Sequence, residues 1–599
     1  MQEAVVLPFV LPFASSIIFL IGNRHIPRLF ADIIASLTAG AVTIIDCYLL
    51  VKSYPSNIVY WFGGWKPHDG FPVGIMFNAD PFGITCALLA AFICFVCFFY
   101  SWKYFDTIGL LYHSLMCIFL AGIQGFCMSG DIFNLFVFLE ILSVASFALT
   151  GYKIRETGPI QGSVNFAVVN TVGTVFILIG IALLYAKTSM LSMSFIGKAL
   201  ASSDPDGLII VSLVLLVSGF LIKSAAVPFH FWLSDAYAVA PAPVAMLFSG
   251  IMLELGILAI VRLFIYIYSP ISALVEPFRI LLLAFGLATA SVGALMSIFQ
   301  RHFKRLLAYM TVCHAGVMLI GVSAMSPGSF SGLLSYLLAD GCLKAALFAI
   351  SGILLHYTGT ADILDGKGKA KDLWILKWTS VLAVFGLASL PPFGTAVGKI
   401  ELEQVLSEQG MIWVSIIIHL STALAAAAVL RAVASYFYDY CAEMPEIFIV
   451  HDESKEWEAE IQGAQRKLPE IIKLPPVVLT LMCFAAGFIP FFINDPPEKN
   501  TFIFPDEKLL SEYPSLVSPE KYLEFSSWIT GLLTMLFFYM LSSNSGVAAG
   551  LRKFLREKTS VPIRTIRELH SGAYGDYVAW IVTGSAITAL VISAGVLVK

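Results

Sequence analysis

Seven titratable side chains in this sequence sit inside long apolar runs. Glu140 lies in the middle of DIFNLFVFLEILSVASFALTGY, and Lys223 near the end of IIVSLVLLVSGFLIK. Glu254, His314, Asp340 and Lys344 occupy three further runs, and Lys399 follows Pro391 and Pro392 in VFGLASLPPFGTAVGKIELE. An ionisable group at membrane depth costs about 3 kcal/mol or more, so each needs a reason to be there. One acid–base pair could simply hold two helices together. Acids and bases spread over six runs fit a relay better. Burial disfavours the charged form of an acid and of a base alike, and an opposite charge nearby restores it. A glutamate–lysine pair that parts therefore expels a proton from the lysine and lets the glutamate take one up. Proton position and ion-pair geometry become one coupled variable.

The elements that must position these groups are membrane helices. The chain has 599 residues, of which 58% are hydrophobic and 13% charged, with a mean hydropathy of +0.85. A soluble chain of this length would need far more charge on its surface. Apolar runs of about 20 residues, enough to cross a bilayer, fall near 4–22, 29–51, 80–100, 107–128, 131–151, 162–185, 207–227, 241–266, 273–298, 303–323, 330–356, 374–397, 408–438, 474–494, 525–543 and 577–598. Backbone groups in lipid must pair within their own segment, so these sixteen runs are read as helices. The fold class is an all-α polytopic membrane protein. The N-terminus carries neither a basic leader nor a small-residue cleavage site, so its first apolar run is read as retained.

Two helices look broken in the same way. Pro228 follows Lys223, and Pro391 and Pro392 precede Lys399. Proline at membrane depth is tolerated where the backbone lines a wet cavity. The breaks lie five predicted helices apart, and an odd-numbered repeat must be inverted in the membrane. That pattern predicts two inverted five-helix bundles, each with a discontinuous helix at its centre.

Positive charge sets the orientation. With both termini outside, Arg24, Arg28, Lys153, Arg155, Arg301, Lys304, Arg305, Lys367 and the basic run LRKFLREK all face inside. Residues 57–79 read as an external hairpin, 441–473 as a charged inside loop, and 495–524 as an external loop rich in proline and acid. LRKFLREK reads equally as a helix on the inner membrane surface or as a plain connector. No basic arm or aromatic–basic stripe suits nucleic acid. Cys94 and Cys97 form a CxxC with no second pair, and no haem or iron–sulfur spacing is present, so no cofactor and no metal site are expected.

The strings GDIFNLFVFLEILSVASFALTGYK, LIKSAAVPFHFWLSDAYAVAPAPVAMLFSG, FKRLLAYMTVCHAGVMLIGV and GLASLPPFGTAVGK resemble the antiporter-like subunits of respiratory complex I. They look most similar to the Mrp-type Na⁺/H⁺ antiporter subunits and their relatives in membrane-bound hydrogenases. LHSGAYGDYVAWIV resembles the last helix of the larger members. The resemblance covers residues 57–440 strongly and the rest weakly. It implies that Glu140 pairs with Lys223, that Lys344 and Lys399 are relay lysines with Lys399 at the outward exit, and that His230 of PFHFWL belongs to the path. Glu254 stands where relatives usually place a lysine or histidine, Asp340 and Tyr336 where they often have histidines, and His314 where glutamine is common. The bridge between the half-channels is thus unusually acidic, which admits a sodium site as well as a proton relay.

The reading is an ion-translocating subunit, for protons or for protons and sodium, in a larger energy-converting complex of the inner membrane. It has no active site of its own, and its partners are other membrane subunits, further antiporter-like ones included. The expected units are 1–106, with three helices and the hairpin; 107–266 and 267–440, the inverted repeats; and 441–599, with three more helices and charged loops. The alternatives are a quinone-binding redox subunit and a structural spacer that no longer conducts.

Overall fold

The computed structural model describes residues 2–22, 25–53, 57–105, 108–152, 157–201, 204–438, 469–488, 525–542, 550 and 574–597. Almost all of them are helical. In chain order the helices are α1 (Leu7–Ile21), α2 (Arg28–Ser53), α3 (Pro81–Tyr104), α4 (Leu110–Met128), α5 (Ile132–Thr150), α6 (Thr157–Thr188), α7 (Met193–Leu200), α8 (Gly207–Lys223), α9 (Phe231–Val239), α10 (Ala242–Leu247), α11 (Leu253–Leu263), α12 (Ser272–Ile298), α13 (Phe303–Ser323), α14 (Pro327–Thr358), α15 (Trp374–Leu387), α16 (Gly394–Glu408), α17 (Ile412–Tyr438), α18 (Leu474–Ala486), α19 (Phe525–Ser542) and α20 (Tyr574–Leu597). Twelve described helices are long and apolar enough to cross a membrane, and Gly207–Lys223, Trp374–Leu387 and Trp528–Ser542 are shorter apolar ones. The protein is a polytopic membrane protein.

Helix starts carry sequence-encoded caps. Asp80 accepts from the Gly83 amide, Asp131 from Phe133 and Asn134, and Asp206 from Ile209. Each occupies one of the amides a first turn leaves bare. Ser326 and Ser329 cap α14 reciprocally, and Gly359 ends it in the left-handed conformation. Helix crossings rest on small residues, as membrane packing favours. A side chain on Gly293 of α12 would meet the Cys313 backbone of α13.

The hairpin expected at 57–79 is present as β1 (Ile58–Trp61) paired antiparallel with β2 (Met76–Ala79). Other boundaries differ from the expected ones. The run 241–266 is one span, Ala242–Tyr268, with π-helical turns at Phe248–Met252 and Phe264–Tyr268. The short helix α7 was not anticipated, because eight residues cannot span and give no long apolar run. The twelfth helix continues past 397 to Glu408 as α16. The loops 441–468 and 495–524 and the basic run 551–558 lie outside the described residues.

Both breaks are present and match residue by residue. After α8, Ala225 has φ 47°, and after α15, Ser389 has φ 52°. A non-glycine residue in this region costs about 1–2 kcal/mol, so surrounding contacts must hold it. In the first break the Ala226 amide bonds Leu221 O and the Phe229 amide bonds Ala226 O. In the second the Leu390 amide bonds Phe385 O and the Phe393 amide bonds Leu390 O. One carbonyl at each break accepts both a turn amide and a side chain: Ile222 O from the Ala225 amide and Trp232 Nε1 at 3.2 Å, and Gly386 O from the Ser389 amide and Thr395 Oγ1 at 2.5 Å. In this register Pro228 answers Pro392, and Asp235 falls where Lys399 stands.

Candidate ion-translocation path

The centre of the molecule holds an unbroken file of charged side chains. Lys344 Nζ lies 2.5 Å from Glu254 Oε1 and 2.7 Å from Asp340 Oδ2. Asp340 Oδ1 lies 2.8 Å from His314 Nδ1, and the Tyr336 hydroxyl lies 2.9 Å from the same nitrogen. Glu254, Lys344, Asp340, His314 and Tyr336 are all fully buried. Helix geometry explains the assembly. Asp340 and Lys344 are four residues apart on α14 and share a face. Glu254 comes from α11 and His314 from α13, both packed against α14 or its neighbours. Glu254 Oε2 and His314 Nε2 make no hydrogen bond, so the file has open ends.

Lys223 closes α8 beside the first break. Its Nζ donates to Ser143 Oγ at 2.9 Å. Among the described residues no carboxylate lies within salt-bridge distance of it. Glu140, one turn before Ser143 on α5, is half-buried, and its shielded Oε1 has no hydrogen-bond partner. The expected Glu140–Lys223 pair therefore makes no salt bridge here, although the Glu140 charge still acts on Lys223. His230 caps the start of α9, buried, with its ring against Phe231 and near Tyr309.

Lys399 sits on α16 beyond the second break. Its Nζ is 2.9 Å from His419 Nδ1 of α17 and 3.8 Å from Glu403 Oε1, and it donates to Thr530 Oγ1 of α19. Gly398 lets the Tyr336 backbone close on α16, since a Cβ there would collide with the Tyr336 nitrogen. The Lys399 group thus abuts the central file.

Several buried polar groups escaped the sequence reading. Glu403, His419 and Thr530 join the Lys399 group. Asp235 Oδ2 accepts from Tyr577 of α20 at 2.8 Å. Away from the axis, Asp32 contacts His113 at 2.7 Å and Arg28 at 3.6 Å, while Asp46 accepts from Gln124 at 3.0 Å. Arg262 of α11 binds Asp80 and the carbonyls of Phe126, Cys127 and Ser129 at the end of α4, and Arg431 of α17 binds the Ile298 carbonyl at the end of α12. Asp32 and Asp46 could have been found: they lie fourteen residues apart on α2, about four turns, and so share its buried face.

Residues 129–425 match the family described as NADH:quinone oxidoreductase/Mrp antiporter, TM. A Na⁺/H⁺ antiporter subunit of Bacillus subtilis is 31% identical over 458 residues, covering 74% of this chain and 89% of its own length. An NADH-quinone oxidoreductase subunit of Desulforudis audaxviator is 31% identical over 367 residues, covering 60% of this chain and 71% of its own. Two solved structures share the fold. A chain of the membrane-bound sulfane sulfur reductase, an archaeal respiratory membrane complex, aligns with a TM-score of 0.71 at 22% identity, over 82% of this chain and 96% of that one. A chain of the Mrp complex from Dietzia sp. DQ12-45-1b aligns with a TM-score of 0.71 at 21% identity, over 90% and 98%.

Proposed function

The chain belongs to the membrane-subunit family shared by NADH:quinone oxidoreductases and Mrp antiporters, and from that premise we propose that it carries protons along a path from Glu140 and Lys223 through Glu254, Lys344, Asp340 and His314 to Lys399. The observation that carries this reading is the buried Glu254–Lys344–Asp340–His314 file, with every contact between 2.5 and 2.8 Å. Both Asp340 oxygens are at ion-pair distance without hydrogen-bond geometry, so a small reorientation of that carboxylate would make or break the connection. His230, beside the first break, lines the same path.

The position of Lys344 favours protons over sodium. Its ammonium occupies the space between the two carboxylates, where a bound cation would have to sit. The unmade Glu140–Lys223 salt bridge supports a switch: Lys223 rests on the Ser143 hydroxyl, and re-pairing with Glu140 would couple a proton movement to the geometry of the two helices.

The two expected repeats, 107–266 and 267–440, gain support from the matched breaks and from Arg262 and Arg431. Each arginine comes from the last long helix of its unit and binds carbonyls at the end of the first. Inverted stacking of the units would direct α9 to the inside and α16 to the outside, with both termini outside. The partners are other membrane subunits of one complex, further antiporter-like chains among them, by analogy with the antiporter and oxidoreductase subunits it matches.

The test uses the complex purified with its native partners and reconstituted in liposomes. Glu254→Gln should shift the pH optimum of proton flux and leave it indifferent to sodium. Sodium-dependent flux that Glu254→Gln abolishes would overturn the proton reading. Unchanged flux in the Glu254→Gln, Asp340→Asn double variant would reduce the file to structure.

A further inference from the structure

The path does not stop at Lys399. Beyond it lie two groups that neither composition nor family resemblance singled out. Lys399 Nζ is 2.9 Å from His419 Nδ1, and the other ring nitrogen, Nε2, is 3.2 Å from Glu403 Oε1. The imidazole thus lies between the two, with Nδ1 in hydrogen-bond contact with the lysine and Nε2 at ion-pair distance from the acid, whose Oε1 is buried and has no hydrogen-bond partner. Side-chain exposure rises along the series, from 4% at Lys399 to 12% at His419 and 14% at Glu403. Glu403 lies one turn past Lys399 on α16, toward the end where Ser407 and Glu408 are exposed. Thr530 Oγ1 touches both Lys399 and His419, the latter at 2.7 Å, and fixes the ring against the lysine.

We propose that His419 and Glu403 form a two-step relay that takes each proton from Lys399 to the accessible end of α16. The Lys399 ammonium breaks one N–H bond and His419 Nδ1 forms one, which leaves a neutral amine and an imidazolium. The imidazolium then loses the proton on Nε2 to Glu403 Oε1, which becomes a carboxylic acid and releases the proton to water. Charge and protons balance at each step, and His419 ends neutral with its proton on Nδ1. Before the next transfer the ring must return to the Nε2 tautomer, by turning or by exchange with water. Histidine suits this place because its two ring nitrogens are distinct and face two different partners. The other groups facing Lys399 are Cys313 of α13 and the backbone of Tyr336 on α14. Glu403 itself lies 3.8 Å from Lys399, and the ring nitrogen at 2.9 Å is the nearer acceptor, so the route through His419 replaces one long jump by two shorter ones.

This inference rests on the proton reading above, and the experiment separates the two. The native complex in liposomes is compared with its Lys399→Ala, His419→Gln and His419→Ala variants, with assembly checked in each. Glutamine keeps the volume and accepts from Lys399, but it cannot pass a proton through itself. His419→Gln and His419→Ala should each lose about a hundredfold in flux, the range for removing a proton-transfer group. Added imidazole should restore flux in His419→Ala and do nothing for Lys399→Ala. Normal flux in both His419 variants with none in Lys399→Ala would overturn the relay and leave the proposed function standing. Normal flux in all three would overturn both. A slow His419→Ala that imidazole does not restore, beside a normal His419→Gln, would make His419 a packing residue and end the proposal.

Discussion

The two broken helices share a backbone and differ in what they hold. Ala225 and Ser389 take the same left-handed turn, and the same amides bond the same carbonyls on either side. The first break carries its lysine before the turn, on the last residue of α8, where only a serine hydroxyl meets it. The second carries its lysine after the turn, in contact with His419, Glu403 and Thr530. In the position matching Lys399 the first break has Asp235, bound to Tyr577. One backbone device thus serves two chemistries. A lysine held by a single serine hydroxyl can change partner. A lysine inside a hydrogen-bonded group is poised to pass one on. Symmetric scaffolding with asymmetric side chains is what a path with a direction requires.

The sharpest way to break that comparison is at Lys223. Lys223→Met should abolish proton flux with the complex still assembled, and Lys223→Arg should fail equally, because a guanidinium keeps its proton at any working pH. Flux in the arginine variant would mean that only positive charge is needed there, and the distinction between the breaks would collapse. Next in size is Asp235→Asn. If Asp235 is the inner counterpart of Lys399, the variant should lose roughly tenfold in flux and show a changed pH profile on that side alone, a smaller effect than full loss of a proton-transfer group. An identical change from both sides would deny it a sided role. Thr530→Val removes the hydroxyl that meets both Lys399 and His419 but leaves those two in contact with each other, so the loss should be about 1 kcal/mol and slow flux no more than about fivefold. A complete loss would show that the hydroxyl itself carries the proton.

The smallest effect tests the approach to the first break. Asp206 caps α8 and contacts Lys187 at 2.6 Å, and both side chains are well exposed. The Lys187 ammonium, then the Ile209 amide, hold the Asp206 carboxyl below its ordinary range. Its contribution is therefore present above the unfolded carboxylate pKa of about 4 and is lost only as pH falls through the lower folded value. Lys187→Ala should leave the thermal midpoint at neutral pH nearly unchanged, since exposed pairs contribute about 0–1 kcal/mol. A large drop in that melting scan would mean the cap tensions the whole broken helix.

The rule that charge in an apolar run needs a reason was enough to find Lys223, Glu254, His314, Asp340, Lys344 and Lys399. The breaks were legible because proline has few places in a membrane helix. What stayed hidden follows from physics as well. Glu403 lies near a helix end, where a charge is ordinary. Thr530 carries no charge, and its partner lies 131 residues away in sequence. His419 looks like any lone histidine until Lys399 and Glu403 are seen on its two nitrogens. Asp235 was read as part of a motif, and only the superposed breaks show that it answers Lys399. The separation of Glu140 from Lys223 is a matter of conformation, which no residue pattern encodes.

The last two helices each lie on one break. Gly584 of α20 rests against the Phe229 ring, and Gly531 of α19 against Leu390. Both helices follow the two expected repeats in the chain. Until they insert, Asp235 has no Tyr577 and Lys399 has no Thr530. A half-made proton path in an energised membrane is a short circuit. Because Tyr577 and Thr530 come from helices outside both repeats, neither mouth of the proposed path is closed until those later helices have docked on the breaks.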